Sequence, residues 1–296
     1  VNSLRQVRLF ARRIKSQVRS GTTSRAIVEF KSDIWQTREG SDWFIKGSDA
    51  NEVALADVMN REVNVFFLNQ CNQADNVLDI GSGHGIVSEF LARHGINVTA
   101  MDTSDRFLEE FRERVAGMDL PLTITHGDAY DIPTADASFD KVVARMFLPH
   151  FPNWSLILKE LARVTVPGGL IMIHFPSREN GLTGARLGDK DCRFATDPDT
   201  EDPWTFYAET DERELLDVSR KLNLRIVSRV PICFFADNRI IGHQIGQEHF
   251  DRYQSELAER LKDPAVKDFV VWFDEMFTAN AAPALSHFAI VTFEKR

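Results

Sequence analysis

The stretch Asn76-Val-Leu-Asp-Ile-Gly-Ser-Gly-His-Gly85 constrains the fold more than any other part of the chain. Val77, Leu78 and Ile80 enclose one acid, Asp79, and glycines follow at 81, 83 and 85. A short apolar run ending in glycines reads as a buried strand, a tight turn and a helix opening at about Ile86. Glycine tolerates positive φ and lets backbone approach a ligand with no Cβ in the way. The first N–H groups of the next helix point at the same spot. On its own the loop leaves three readings open: an ordinary strand–helix turn, a nicotinamide or flavin site, or a site for another small molecule with a polar tail.

Strand and helix patterns alternate from here. Strands are expected at Val77–Ile80, Asn97–Met101, Leu122–Thr125, Phe139–Ala144, Leu170–His174, Leu224–Val230 and His287–Phe293. Helices are expected over about Ile86–Arg93, around Phe107, Leu108 and Phe111, over Leu156–Val164, and over 207–222. Such alternation calls for an α/β fold with a mostly parallel sheet and right-handed crossovers. Residues 235–282 read as a helical insertion, so the last strand is expected to pair antiparallel. A further helix is expected from Asn51 to Cys71, with Val53, Leu55, Val58, Val63, Phe66 and Phe67 as its apolar stripe. The loop 176–205, with Gly181, Gly184 and Gly188, breaks the rhythm, and loops of that length are often functional.

The composition bounds the rest. With 43% hydrophobic and 27% charged residues, the 296-residue chain is globular. No apolar run approaches the ~20 residues of a membrane span, and the first residues lack the apolar core of a leader. A formal charge of −9 speaks against general nucleic-acid binding. Cys71, Cys192 and Cys233 have no metal-like spacing and are expected to be free thiols in a reducing cytoplasm. No cluster is expected to hold a catalytic metal. Residues 1–25 carry seven basic side chains and no acid, with helical apolar spacing at Leu4, Val7, Ile14 and Val18. That helix either docks on the domain or touches an anionic membrane or a partner. Phe30, Trp35, Trp43 and Phe44 either cover a ligand or fill a seam.

Three acids, Asp79, Asp102 and Asp128, fall at or near consecutive strand ends, the ligand-binding edge of an open α/β sheet. Asp102 suits a pair of ribose hydroxyls and Asp128 an exocyclic amine. Asp79 suits an orienting role for the loop. The glycine spacing departs from the G-x-G-x-x-G of dinucleotide sites, because position 86 is Ile, and no Gly-Lys-Ser/Thr follows for a nucleotide triphosphate.

With these motifs the chain resembles the class I S-adenosylmethionine-dependent methyltransferases, in the small-molecule branch. The resemblance rests on Val77-Leu-Asp-Ile-Gly-Ser-Gly-His-Gly85, Ala100-Met-Asp-Thr-Ser104, Gly127-Asp-Ala129, Phe139-Asp-Lys-Val-Val143 and Arg163-Val-Thr-Val-Pro-Gly-Gly169. It is close over about residues 50–175 and looser beyond. It implies a Rossmann-like sheet of seven strands with the last pair antiparallel; to this the residues themselves add a helical, aromatic-rich N-terminal extension (1–50) and the helical insertion before the last strand. The methyltransferase domain would occupy 51–296, with 176–205 and 235–282 capping the acceptor.

The cofactor implied is S-adenosyl-L-methionine. Asp79, Gly81, Ser82 and Gly83 would serve its methionyl part, Asp102 and Thr103 its ribose and adenine, and Asp128 and Ala129 the adenine edge. The backbone near Arg145 and Met146 would approach its amino-acid end. Methyl transfer chiefly requires alignment and exclusion of water. His150, just beyond strand four, is the candidate base for a hydroxyl acceptor, or else a structural residue. His84 is a second candidate for contact with ligand; His174 and His287 read as core or rim residues. The expected acceptor is a small hydroxylated molecule such as a sugar or glycan end. RNA or protein methylation, and a non-catalytic cofactor-binding role beside a partner, are the alternatives. Residues 1–20 are the expected membrane or protein contact.

Overall fold

The computed structural model describes residues 33, 35–37, 50–151, 153–176, 212–232, 247–280 and 288–296. The expectations for residues 1–25, Phe30, Trp43, Phe44, the loop beyond Pro176, Cys192, Cys233 and His287 lie outside these residues, as do 235–246 and 281–282 of the insertion.

In chain order the elements are α1 (Ala50–Asn69), β1 (Asn76–Ile80), α2 (Ile86–Arg93), β2 (Asn97–Asp102), α3 (Asp105–Val115), β3 (Leu122–His126) and β4 (Phe139–Arg145). A single 3₁₀ turn, Leu148–His150, precedes α4 (Trp154–Val164) and β5 (Thr165–Pro176). Then come α5 (Glu212–Lys221), β6 (Leu224–Ile232), α6 (Gln247–Arg260), α7 (Pro264–Asn280) and β7 (Phe288–Lys295). The seven strands form one sheet in the order β3-β2-β1-β4-β5-β7-β6. The first five in that order are parallel to one another, and β7 runs antiparallel between β5 and β6.

The pattern of β1 explains its place at the centre. Strand residues alternate faces. Leu78 and Ile80 join the apolar cluster that contains Leu158, Leu161 and Leu215, on the α4 and α5 side. Val77 joins Val63, Phe67 and Leu91 on the α1 and α2 side. A strand buried on both faces reads as a continuous apolar run, and this one is broken only by Asp79. The order turns back at β1, which lies between β2 and β4. The loops leaving β1 and β4 therefore diverge and open a crevice at the carboxyl edge, the usual ligand position in such sheets.

One boundary differs from expectation. The fifth strand was expected to start at Leu170, yet β5 begins at Thr165. Phe139 pairs with Thr165 and Lys141 with Leu170, so the register slips between them. Gly168, at φ +79°, lets the extra residues bulge out. The antiparallel β7 agrees with its pattern, pairing Leu170 with Glu294 through to Pro176 with Phe288. Leu257, Leu261, Val270 and Val271 of the insertion pack into the cluster of α1 and α2. No described helix is long and apolar enough to cross a membrane.

Candidate active site: a nucleoside cleft at the sheet's carboxyl edge

The glycine loop turns sharply off β1. Gly81 has φ +66°, and the N–H groups of Gly81 and Ser82 both donate to the Met101 carbonyl on β2, at 2.9 and 3.1 Å. Its α-hydrogen faces the Phe147 ring: a Cβ here would lie 2.0 Å from Phe147 Cδ2. Met146, the residue after β4, has φ +49°, a left-handed backbone that costs a side-chain-bearing residue about 1–2 kcal/mol. It turns the chain so that Phe147 lies over the loop.

Asp102 braces the loop from β2. Its Oδ2 accepts from the Gly83 N–H at 2.8 Å and its Oδ1 from the Ser104 N–H at 2.9 Å. Burial raises its carboxyl above the ordinary range, against these N–H donors, which favour the charged form. Each oxygen keeps lone-pair capacity for a further donor. On the next strand end Asp128 accepts from the Tyr130 N–H at 2.9 Å, closing a tight turn.

Between these elements lies a small cleft that opens to solvent. Of the candidate cofactor residues, Gly81, Asp102, Thr103, Asp128 and Ala129 line it. Ser82 and Gly83 sit in the same loop but are not part of the wall, and neither are Arg145 and Met146 at the end of β4. The other walls are aromatic: Trp35, Tyr130, Phe147 and Phe151. Tyr130, Phe147 and Phe151 had no assigned role in the sequence. Tyr130 directly follows Gly127-Asp-Ala129, which was the available signal.

Asp79 lies beneath the loop. It is 1% exposed and accepts from Ser88 Oγ of α2 at 2.5 Å. Burial pushes its carboxyl up to about 7; the Ser88 hydrogen bonds and the Arg145 guanidinium act in the opposite direction. Arg145 donates to Asn60 of α1 and stands beside His174 in register. His174 is fully buried with neither ring nitrogen hydrogen-bonded, and burial, then Arg145, pushes its imidazole down to about 3.

His84 packs on Phe107, with its Nδ1 3.3 Å from Glu110 Oε2. Burial outweighs that carboxylate and lowers His84 to about 4. His150 ends the 3₁₀ turn and is 7% exposed; its ring meets Trp35 edge-on, centroids 5.0 Å apart. It stands behind Trp35 rather than in the cleft wall. Among the described residues no group of His, Cys, Asp and Glu is arranged to hold a metal ion.

The strand order and the position of the cleft define the class I methyltransferase fold. Residues 78–173 match the family described as "Methyltransferase domain". A demethylmenaquinone methyltransferase from Clavibacter sepedonicus is 40% identical over 99 residues, which cover 33% of this chain and 40% of that protein. The methyltransferase GfsG from Streptomyces halstedii is 37% identical over 100 residues, 33% of this chain and 36% of that one. The chain thus aligns with less than half the length of these curated relatives. Among solved structures, phosphoethanolamine N-methyltransferase 2 from Haemonchus contortus, in complex with S-adenosyl-L-methionine, has a TM-score of 0.52 at 16% identity. The likeness covers 79% of this chain and 52% of that one, and shows the fold. Residues 78–173 thus carry a methyltransferase domain on the class I fold, and S-adenosylmethionine is the cofactor that goes with that fold.

The residues present suit that cofactor. Asp102 offers carboxylate lone pairs at the cleft wall. The Tyr130 hydroxyl is buried without a protein partner, and burial pushes it up to about 12, so it remains an O–H donor at neutral pH. Ser82 Oγ is likewise buried and unpartnered in the glycine loop. Orphaned polar atoms of this kind cost stability unless a ligand or water meets them.

Proposed function

We propose that the protein transfers the methyl group of S-adenosylmethionine to a small-molecule acceptor, at an oxygen of a hydroxylated compound such as a sugar or glycan end. The observation that carries the methyl-transfer reading is that Gly81, Asp102, Thr103, Asp128 and Ala129 line one cleft. The cofactor supplies an electrophilic methyl group on a sulfonium. In this reading Asp102 accepts from the ribose hydroxyls, the loop of Gly81, Ser82 and Gly83 serves the methionyl end with Asp79 beneath it, and Asp128 and Ala129 meet the adenine. Arg145 and the backbone at Met146 border the amino-acid end. Aromatic walls exclude water, which such displacements require.

His150 is the proposed base. Its place in the turn after β4 supports the role, and to act there it must be reached past the edge of the Trp35 ring it packs against. The hydroxyl acceptor rests on this residue. A relative named for demethylmenaquinone and a fold neighbour named for phosphoethanolamine both support a small acceptor. The insertion would cap the acceptor. Residues 1–20 would give a peripheral contact with an anionic membrane face, a role supported by their basic charge. Deleting residues 1–20 should then abolish salt-sensitive liposome binding, and unchanged binding would refute that contact.

The direct test incubates the pure chain with methyl-labelled cofactor and a crude metabolite or glycan extract. Label in small hydroxylated products supports the proposal. Label in RNA or protein redirects it to a macromolecular acceptor, and no label anywhere favours a non-catalytic binding role. Once an acceptor is in hand, His150→Ala should lower kcat by about 100-fold or more with cofactor affinity retained. Equal turnover would remove His150 from the role.

A further inference from the structure

We propose that Trp35 is a cofactor-binding residue, the aromatic wall against which the adenine-bearing end of the ligand rests, held in place by a short strap that includes Gln36. The inference rests on the reading of the cleft as a site for S-adenosylmethionine. It adds a binding residue 43 positions ahead of the span matched by the methyltransferase family.

The strap is tied at two points, and both ties fall beside the ribose acid. The Ser104 hydroxyl donates to the Trp35 carbonyl at 2.9 Å. Gln36 Nε2 donates to the Thr103 carbonyl at 2.8 Å. Ser104 is 1% exposed, and the same hydroxyl accepts from the Phe107 N–H at the start of α3. Its own N–H donates to Asp102. The anchor is therefore part of the structure that fixes the Asp102 carboxylate, so ring and carboxylate are positioned by one rigid turn.

The Trp35 side chain leaves that anchor toward the cleft. It forms part of the wall together with Asp102, Thr103 and Tyr130. Edge-on contacts with His150 at 5.0 Å and with Phe151, itself in the wall, at 6.4 Å support the ring. The anchor at Thr103 and Ser104 places it at the nucleoside end of the cleft. A flat purine presents a π-face to any aromatic wall, and indole is the largest such surface a side chain offers. Base–aromatic stacking is sequence-tolerant and strong enough to govern affinity.

The test is calorimetric titration of the full chain with S-adenosylhomocysteine and, separately, with adenosine. Trp35→Ala should weaken both ligands by the same factor, about 10- to 100-fold. Trp35→Phe should retain most of the affinity. Gln36→Ala, which loosens the strap and leaves the ring, should give a smaller loss, and it carries the test if Trp35→Ala fails to fold by circular dichroism. Wild-type affinity in Trp35→Ala, or in Gln36→Ala where that variant carries the test, overturns the proposal. A loss for S-adenosylhomocysteine with adenosine unaffected also overturns it, since Trp35 would then act on the methionyl end. If wild type binds neither ligand, the methyltransferase reading itself fails, a result distinct from loss in the variant alone.

Discussion

Replacing Asp79 by Asn removes a buried charge and keeps the shape of the side chain. Asp79 is 1% exposed, and burial raises its carboxyl from 3.8 to about 7 even with Ser88 and Arg145 favouring ionisation. A carboxyl raised in the folded state binds more protons there than in the unfolded chain. Its contribution to stability is therefore greatest below the unfolded value and declines as pH climbs through the folded one. The interval between 3.8 and about 7 corresponds to a penalty of about 4 kcal/mol once Asp79 is fully ionised. About 2–3 kcal/mol of that penalty develops between pH 5 and 8. Asn mimics the neutral acid and escapes it. Urea unfolding of the ligand-free wild type and Asp79→Asn at both pH values isolates the effect, because ionisable groups common to both cancel in the difference. The variant should gain on wild type by about 2–3 kcal/mol between pH 5 and 8. A difference that stays constant over that range would show that Asp79 keeps an ordinary carboxyl, and the account of a charge held beneath the glycine loop would be wrong.

Three more outcomes follow from the same geometry. Asp102→Ala should weaken S-adenosylhomocysteine binding by about 10- to 100-fold in calorimetry, since it removes a charged acceptor and the brace on Gly83. Gly81→Ala should lower both the unfolding midpoint and cofactor affinity, because the added Cβ meets Phe147 at 2.0 Å and the backbone is left-handed, a strain of about 1–2 kcal/mol by itself. His84 and His174 are held neutral, lowered from 6.5 to about 4 and about 3. Their contribution is complete above pH 6.5 and is lost below it, by up to about 1.4 kcal/mol per pH unit each. His174→Asn should therefore destabilise less at pH 5 than at pH 7 relative to wild type; an equal effect at both refutes the neutral buried imidazole.

Much of the sheet was legible because its signals are local. The alternation of apolar runs and glycines placed α2 at Ile86–Arg93, as the structure has it. Asp102 was legible from its place at a strand end. Its brace on the Gly83 N–H was not, because that contact spans 19 residues of sequence. Trp35 stood in an irregular mixture of aromatics and charges, equally suited to a lid or a seam. Its Ser104 tie joins residues 69 apart, a distance at which no periodicity operates. Asp79 was readable more finely than as a strand-end acid: two residues from Val77, it shares that side chain's face. That face packs on α2, where Ser88 meets it.

The glycine loop shows how a correct local reading can leave the occupant of the space open. Gly81 was read as a position where a missing Cβ makes room for a ligand. The room directly beside it holds the Phe147 ring. The left-handed turn at Met146, a strain of the kind that persists at functional sites, aims that ring at the loop. Glycine is thus required at 81 for a protein contact between the loops that leave β1 and β4. Gly81 and Phe147 both line the cleft, at the crevice where the sheet order turns back. A larger residue at 81 would push Phe147 outward and open the cleft to water before it touched any cofactor. Because both changes act through the same ring, Gly81→Ala and Phe147→Ala should be non-additive, the double variant binding cofactor no more weakly than the weaker single variant, whereas a direct clash of the new Cβ with the cofactor would add to the loss of the ring.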